Sequence, residues 1–243
     1  MRTLLLFALL LANQAAHAFY DSSKGKWINR DPIEEDGGAN LNGFVANSPV
    51  DQADHLGLIT IGFYGADLWW TFPNYGNQMM DQIGKNVGAT MFHSLSHEAA
   101  FQFLLKKLDT NQDGRYGPCD VKEPIKILGY SWGGISGVKL ARKIKYSDKF
   151  EWKEVDVLAT IDPVATLRLP PFRVPDNVTS LWNRYQKNGA GVPLPFHGRY
   201  LNLDDSTKTS ADQVQLDPNG RDPKIDHVLI VPLVSGDVIN LLR

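Results

Sequence analysis

The chain has 243 residues, 43% hydrophobic and 21% charged, with a formal net charge of -2. That composition fits one sizeable core and is too short for two large domains. The near-neutral balance gives no electrostatic basis for binding nucleic acid or an anionic membrane, and the single cysteine, Cys119, excludes an intrachain disulfide.

Residues 1–18 carry Arg2, an apolar stretch from Leu4 to Ala12, and Ala16-His17-Ala18. A positive start, a short apolar core and a small-x-small site make a secretory signal peptide. The apolar run is too short to span a bilayer as a stable helix, and no other stretch approaches that length. A soluble, exported protein, secreted or periplasmic and bacterial, is the expectation.

Residues 19–58 show no helical period. Aromatic and apolar pairs alternate with Gly, Asn and Asp-Pro turns, which predicts hairpins or extended loops. Tyr20-Asp21, Gly25-Lys26-Trp27, Arg30-Asp31-Pro32-Ile33, Gly37-Gly38-Ala39-Asn40-Leu41, Asn47-Ser48-Pro49-Val50 and Gly57-Leu58 follow in order. This stretch resembles the C-terminal end of the RHS-repeat-associated core. In that family the segment closes a β-cage, can cut itself near its end, and precedes a variable effector domain. Arg30, Asp31 and Asp54 match positions that self-cleavage would use, whereas His55 stands where the family has proline. The segment reads as a leader ahead of a domain spanning 59–243.

Residues 59–66, Ile-Thr-Ile-Gly-Phe-Tyr-Gly-Ala, predict a first core strand running into a glycine turn. Such a turn is either a plain strand end or an oxyanion loop, in which Phe63 or Tyr64 would donate a backbone N–H and Trp132 the second. Residues 67–90, rich in aromatics and glycine and including Met79 and Met80, read as core or as an exposed flap for lipid-like substrate. Residues 94–108 form a helical pattern ending in Lys106-Lys107, where cations suit the helix dipole.

Asp109, Asn111, Asp113, Arg115 and Asp120 then occupy positions 1, 3, 5, 7 and 12 of a loop with Gly114 at the sixth. Oxygen ligands at that spacing match a calcium loop with Asp in place of the usual terminal Glu. A structural Ca2+ is expected there, and no organic cofactor. Cys119, beside Asp120, reads as an inert thiol, because a neighbouring carboxylate disfavours the thiolate.

The most informative stretch is Ile125–Tyr130 followed by Ser131-Trp132-Gly133-Gly134. An apolar, β-branched run of buried-strand type passes through Gly129-x-Ser131-x-Gly133 into a helical sequence. Strand and helix around G-x-S-x-G are the context that makes the motif informative. A nucleophile on so tight a turn needs strained backbone angles, and side chains two residues before and after it would collide.

Val155–Ile161 predicts another strand, ending at Asp162-Pro163. An acid there borders the crevice at the C-terminal edge of an open α/β sheet. Residues 165–223 hold many turn formers, with strands expected only around Val178–Trp182 and Tyr200–Leu203. Near the end, His227 precedes an apolar segment and is the third member of a Ser…Asp…His order, with His197 as its competitor.

Ser131, Asp162 and His227 in this order resemble an α/β-hydrolase triad, and Thr160-Ile161-Asp162-Pro163-Val164 is similar to the Asp-Pro segment of secreted lipases. The resemblance implies a mostly parallel sheet flanked by helices and a serine hydrolase that cleaves carboxylic or lipid esters, with association at a lipid surface. Two alternatives stand beside it: an RHS-associated effector acting on another cell's lipids, and a non-catalytic binding protein keeping the fold. No H-E-x-x-H and no paired cysteines occur, so the sequence gives zinc chemistry no support.

Overall fold

The structure is a computed structural model that describes residues 20–21, 26–27, 59–66, 75–120, 122–164, 173–189, 197–217, 219, 222 and 225–243. The chain divides into two compact units, Met1–Asp54 and His55–Arg243. In the first, β1 (Tyr20–Asp21) pairs antiparallel with β2 (Lys26–Trp27). The segment expected to be a signal peptide, most of the expected leader and the 67–74 part of the aromatic stretch lie outside the described residues.

The second unit is an α/β layer structure. In chain order it contains β3 (Ile59–Phe63), α1 (Tyr75–Val87), β4 (Thr90–Phe92), α2 (His97–Leu108), β5 (Ile125–Tyr130), α3 (Trp132–Tyr146) and β6 (Val155–Ile161). There follow β7 (Arg173–Val174), β8 (Val178–Tyr185), β9 (Asn202–Leu203), β10 (Ser210–Gln215) and α4 (Ile230–Leu242). Six strands form one sheet in the order β10-β8-β6-β5-β3-β4, and every neighbouring pair is parallel. β7 and β9 make a separate two-stranded parallel pair.

Parallel strands buried on both faces need apolar residues in near-continuous runs, and β5 shows why. Ile125 and Ile127 face one way, into a core with Ala100, Phe101 and Leu104 of α2 and Val138, Ala141 and Ile144 of α3. Leu128 and Tyr130 face the other, into a core with Met80, Ile83 and Val87 of α1 and Val231, Val234 and Val238 of α4. The two-residue period of the strand thus sorts its side chains between two helix layers. Among the described residues no helix is long and apolar enough to cross a membrane.

The structure adds elements that the sequence pattern hid. Residues 75–87 form a helix, and β10 runs through a stretch of polar, largely exposed residues at the sheet edge. β8 extends three residues past its expected end, to Tyr185.

Asp176 ties this framework together outside the sheet, accepting from Lys145 at 2.6 Å and Lys208 at 3.0 Å. Those two ammonium groups, Lys145 foremost, hold its carboxyl at about 2. A carboxyl depressed in the folded state adds stability that is present above its unfolded value and lost as pH falls through the folded one. Asp176→Asn is therefore expected to lower the melting temperature at pH 7, with the difference from wild type closing as pH drops toward 2. Thermal melts followed by circular dichroism across that range check it.

Candidate active site

The site begins with the turn between β5 and α3. Ser131 holds φ 56° and ψ -124°, a region costly for any residue with a side chain and kept only where surroundings over-determine it. Those surroundings are explicit. The Ser131 amide donates to the Ile161 carbonyl at 2.9 Å, and its own carbonyl accepts from Gly134 at 3.0 Å and Val164 at 3.2 Å. A Cβ on Gly129 would lie 2.4 Å from the Gly133 carbonyl oxygen, and one on Gly133 2.3 Å from that of Tyr64. Glycine is thus required on both sides of the serine.

Ser131 lies 2.8 Å from His227, Oγ to Nε2, and His227 Nδ1 lies 2.6 Å from Asp162 Oδ2. Residues from the ends of β5 and β6 and from the segment before α4 converge in one hydrogen-bonded chain. Ser131 and His227 are buried to 4% and 8% exposure, and Asp162 is fully buried. With one imidazole nitrogen on a carboxylate and the other on a hydroxyl, the ring is set to accept the serine proton.

His227 is fixed by more than its ring. Its amide donates to the Gly189 carbonyl at 2.9 Å, and its carbonyl accepts from the Tyr130 hydroxyl at 2.8 Å. The Tyr130 ring stacks on the imidazole with centroids 5.1 Å apart. Asp226 accepts from the Val228 and Leu229 amides at 2.8 and 2.7 Å, closing the turn that enters α4. Burial, with the Asp162 and Asp226 charges, pushes the Tyr130 phenol well above its usual value, so it remains a donor at any working pH. Tyr130→Phe keeps the stacked ring but leaves the His227 carbonyl without its donor, a loss of about 1 kcal/mol. The expected result is a lower urea midpoint and a several-fold drop in the reactivity of Ser131.

Asp162 adopts φ 47°, a conformation unusual outside glycine, directly ahead of Pro163. Its amide donates to the Arg184 carbonyl at 2.7 Å. Its carboxylate also accepts from Gln186, from the backbone N–H at 2.9 Å and from the side-chain amide at 2.6 Å. A carboxylate buried this deeply is tolerable only when its lone pairs are satisfied. Nothing in the sequence motif pointed to Gln186. The other histidine, His197, has its Nδ1 3.3 Å from the carbonyl of its neighbour Gly198. His227, not His197, therefore bridges the serine and the aspartate. The 197–200 segment still borders the site, because a Cβ on Gly198 would lie 2.0 Å from Asp162 Oδ1.

The expected oxyanion donors are distributed differently. Trp132 is the first residue of α3, and an N–H at that position has no acceptor within its own helix. The turn after β3 does approach Ser131, since a Cβ on Gly65 would lie 3.2 Å from its Cβ. The Tyr64 amide, however, donates to the Phe92 carbonyl at 2.9 Å, and Phe63 sits inside the sheet, in register with Phe92 and Gly129. The expectation of a donor at Phe63 or Tyr64 is corrected accordingly: the sheet occupies those positions. The Gly65 amide is bound in turn by Asn77 Oδ1 at 2.8 Å.

The loop expected to hold calcium is ordered by its own amides. Asp109 accepts from Asp113 and Gly114, and Asn111 from Asp113. Asp113 accepts from the amide of Arg115, and Asp120 from Thr110, Asn111 and Gly117. Although partial burial opposes it, these N–H groups and the Thr110 hydroxyl hold the Asp120 carboxyl below its usual value. The oxygen-rich donor set suits a hard cation, yet among the described residues no three His, Cys, Asp or Glu side chains are grouped so as to hold a metal ion. Tyr116 anchors the loop to the rest of the unit, pairing with Lys149 and Glu151 through its backbone and packing edge-on against Phe150 and Trp152.

No protein-family model matches the chain, and no curated protein matches it.

Proposed function

We propose that the chain is a serine hydrolase of α/β-hydrolase type acting on carboxylic esters. The observation that supports it is the continuous Ser131–His227–Asp162 hydrogen-bonded chain, seated on a strained strand-to-helix turn. A motif of three residue types is common. Their assembly from three separate elements at hydrogen-bonding distance, with the serine at positive φ, is what nucleophilic catalysis needs.

In this reading Ser131 Oγ attacks the ester carbonyl while His227 Nε2 takes its proton. Asp162 orients the imidazole and stabilises its charged form. Collapse of the tetrahedral intermediate expels the alcohol, which receives the proton from His227. Water, activated by the same histidine, then attacks the acyl-serine and releases the acid. The developing oxyanion would be met by the Trp132 amide, with Ala66 offering the next described N–H beyond the two that the sheet and Asn77 occupy.

The direct test uses the full chain with p-nitrophenyl esters of short and long acyl chains, beside a fluorophosphonate probe. Ser131→Ala is expected to lose roughly ten-thousand-fold or more in turnover and all labelling. Wild-type protein that neither turns over nor labels would favour the binding-protein alternative.

Two further parts of the reading are tested separately. Export rests on the signal-like residues 1–18 and is checked by cell fractionation. Calcium in the Asp109–Asp120 loop rests on ligand spacing; a melting temperature that rises with added Ca2+ and falls with chelator would carry it, and an unchanged one would end it.

A further inference from the structure

Resting on the serine-hydrolase reading, we infer that Gln186 is a positioning residue of the triad, the clamp that fixes both Asp162 and the backbone carrying His227. Gln186 is fully buried and lies one residue past β8. Its two ends face opposite requirements. The side-chain N–H group donates to Asp162 Oδ2 at 2.6 Å, the same oxygen that receives His227 Nδ1 at 2.6 Å. Its side-chain oxygen accepts from the amides of Asn188 at 2.6 Å and Gly189 at 3.0 Å. Turning the amide over would set oxygen against carboxylate and NH2 against two N–H groups, so only one orientation satisfies both sides.

The turn that Gln186 closes also reaches the histidine. Gly189, at φ 84°, offers its carbonyl to the His227 amide at 2.9 Å. The Asn188 side chain donates to the Ile225 carbonyl at 2.7 Å and to Asp217 at 3.0 Å. The turn closed by this side chain therefore links the acid member of the triad, at the end of β6, to the backbone at the base member and two residues ahead of it. A partner that orients a functional group from behind typically changes activity about 10- to 100-fold when removed.

The groups facing this cluster are Asp162 from β6, Tyr130 from β5, His227 and Asp226 ahead of α4, and Asp217 across Asn188. Against that background Gln186→Glu retains an oxygen for the turn but sets a second carboxyl against the buried Asp162, so that the pair holds a shared proton until the pH is high enough to remove it. Gln186→Met removes both interactions without adding charge.

The experiment measures the rate of Ser131 labelling by a fluorophosphonate, and hydrolysis of p-nitrophenyl acetate, from pH 5 to 9. It compares wild type, Ser131→Ala and both Gln186 variants, each followed by circular dichroism. Both variants are expected to react about 10- to 100-fold more slowly at pH 7, with the loss in kcat and not in KM. In Gln186→Glu the loss is expected to deepen toward pH 9, as removal of that proton sets two carboxylates against each other; in Gln186→Met the profile keeps the wild-type shape. Variants reacting at the wild-type rate with the wild-type profile would overturn the inference. A loss that merely tracks a lowered melting temperature, with the Gln186→Glu profile of wild-type shape, would also overturn it. If Gln186→Glu does not fold, Gln186→Met decides, together with the downfield proton resonance of the His227–Asp162 hydrogen bond: an unchanged rate and resonance overturn the assignment. Wild-type protein that never labels at Ser131 would instead defeat the hydrolase reading itself.

Discussion

His227→Ala is expected to reduce kcat/KM toward p-nitrophenyl esters by roughly 10^4-fold or more, while His197→Ala remains within about threefold of wild type. The contrast follows from geometry. His227 spans the distance between Ser131 Oγ and the Asp162 carboxylate, with contacts of 2.8 and 2.6 Å. His197 makes its ring contact with the carbonyl beside it. Residual activity in His227→Ala would measure what the oxyanion donors contribute without a base. The reverse outcome, with His197→Ala inactive and His227→Ala active, would remove the triad as the explanation.

Gly133→Ala is expected to cost more than about 3 kcal/mol of stability, or to abolish the native fold, because overpacking against backbone cannot be relieved by a rotamer change. The added methyl would lie 2.3 Å from the Tyr64 oxygen and 2.5 Å from that of Phe63. Gly129→Ala, 2.4 Å from the Gly133 oxygen, should behave alike. Gly236, inside α4, supplies the opposite case, since a methyl added there would have nothing within 4 Å. Gly236→Ala is expected to stabilise by about 0.5–1 kcal/mol through helix propensity. Urea denaturation of the three variants ranks them directly. A Gly133→Ala protein of wild-type stability and reactivity would show that the turn is not as constrained as its contacts require.

The turn around Ser131 was legible in the sequence because each of its requirements leaves a residue type behind. A buried parallel strand demands an apolar run, and close backbone passage demands glycine at 129 and 133. Asp162 and His227 were legible from chain order and from their places beside strand and helix patterns. Helix α1 was not, because its glycines and asparagines mimic a loop. Gly76 is there for packing: a Cβ would lie 2.7 Å from the Tyr130 ring. Strand β10 escaped because an edge strand with an exposed polar face carries little apolar alternation. Gln186 left no trace at all, since a glutamine after a strand means nothing until the register places it beside Asp162. The donor expected after β3 was misplaced for a related reason: whether an N–H is free depends on which carbonyl lies across the sheet, here Phe92 opposite Tyr64.

The all-parallel sheet has a kinetic consequence. No neighbouring pair in it can be joined by a tight hairpin, and the contacts that unite the triad span 96 residues between Ser131 and His227 and 65 between Asp162 and His227. Such long-range closure is slow relative to local helix formation. On refolding from urea, helical ellipticity should return before Ser131 becomes reactive, and the lag between the two signals would time the docking of α4 against the finished sheet.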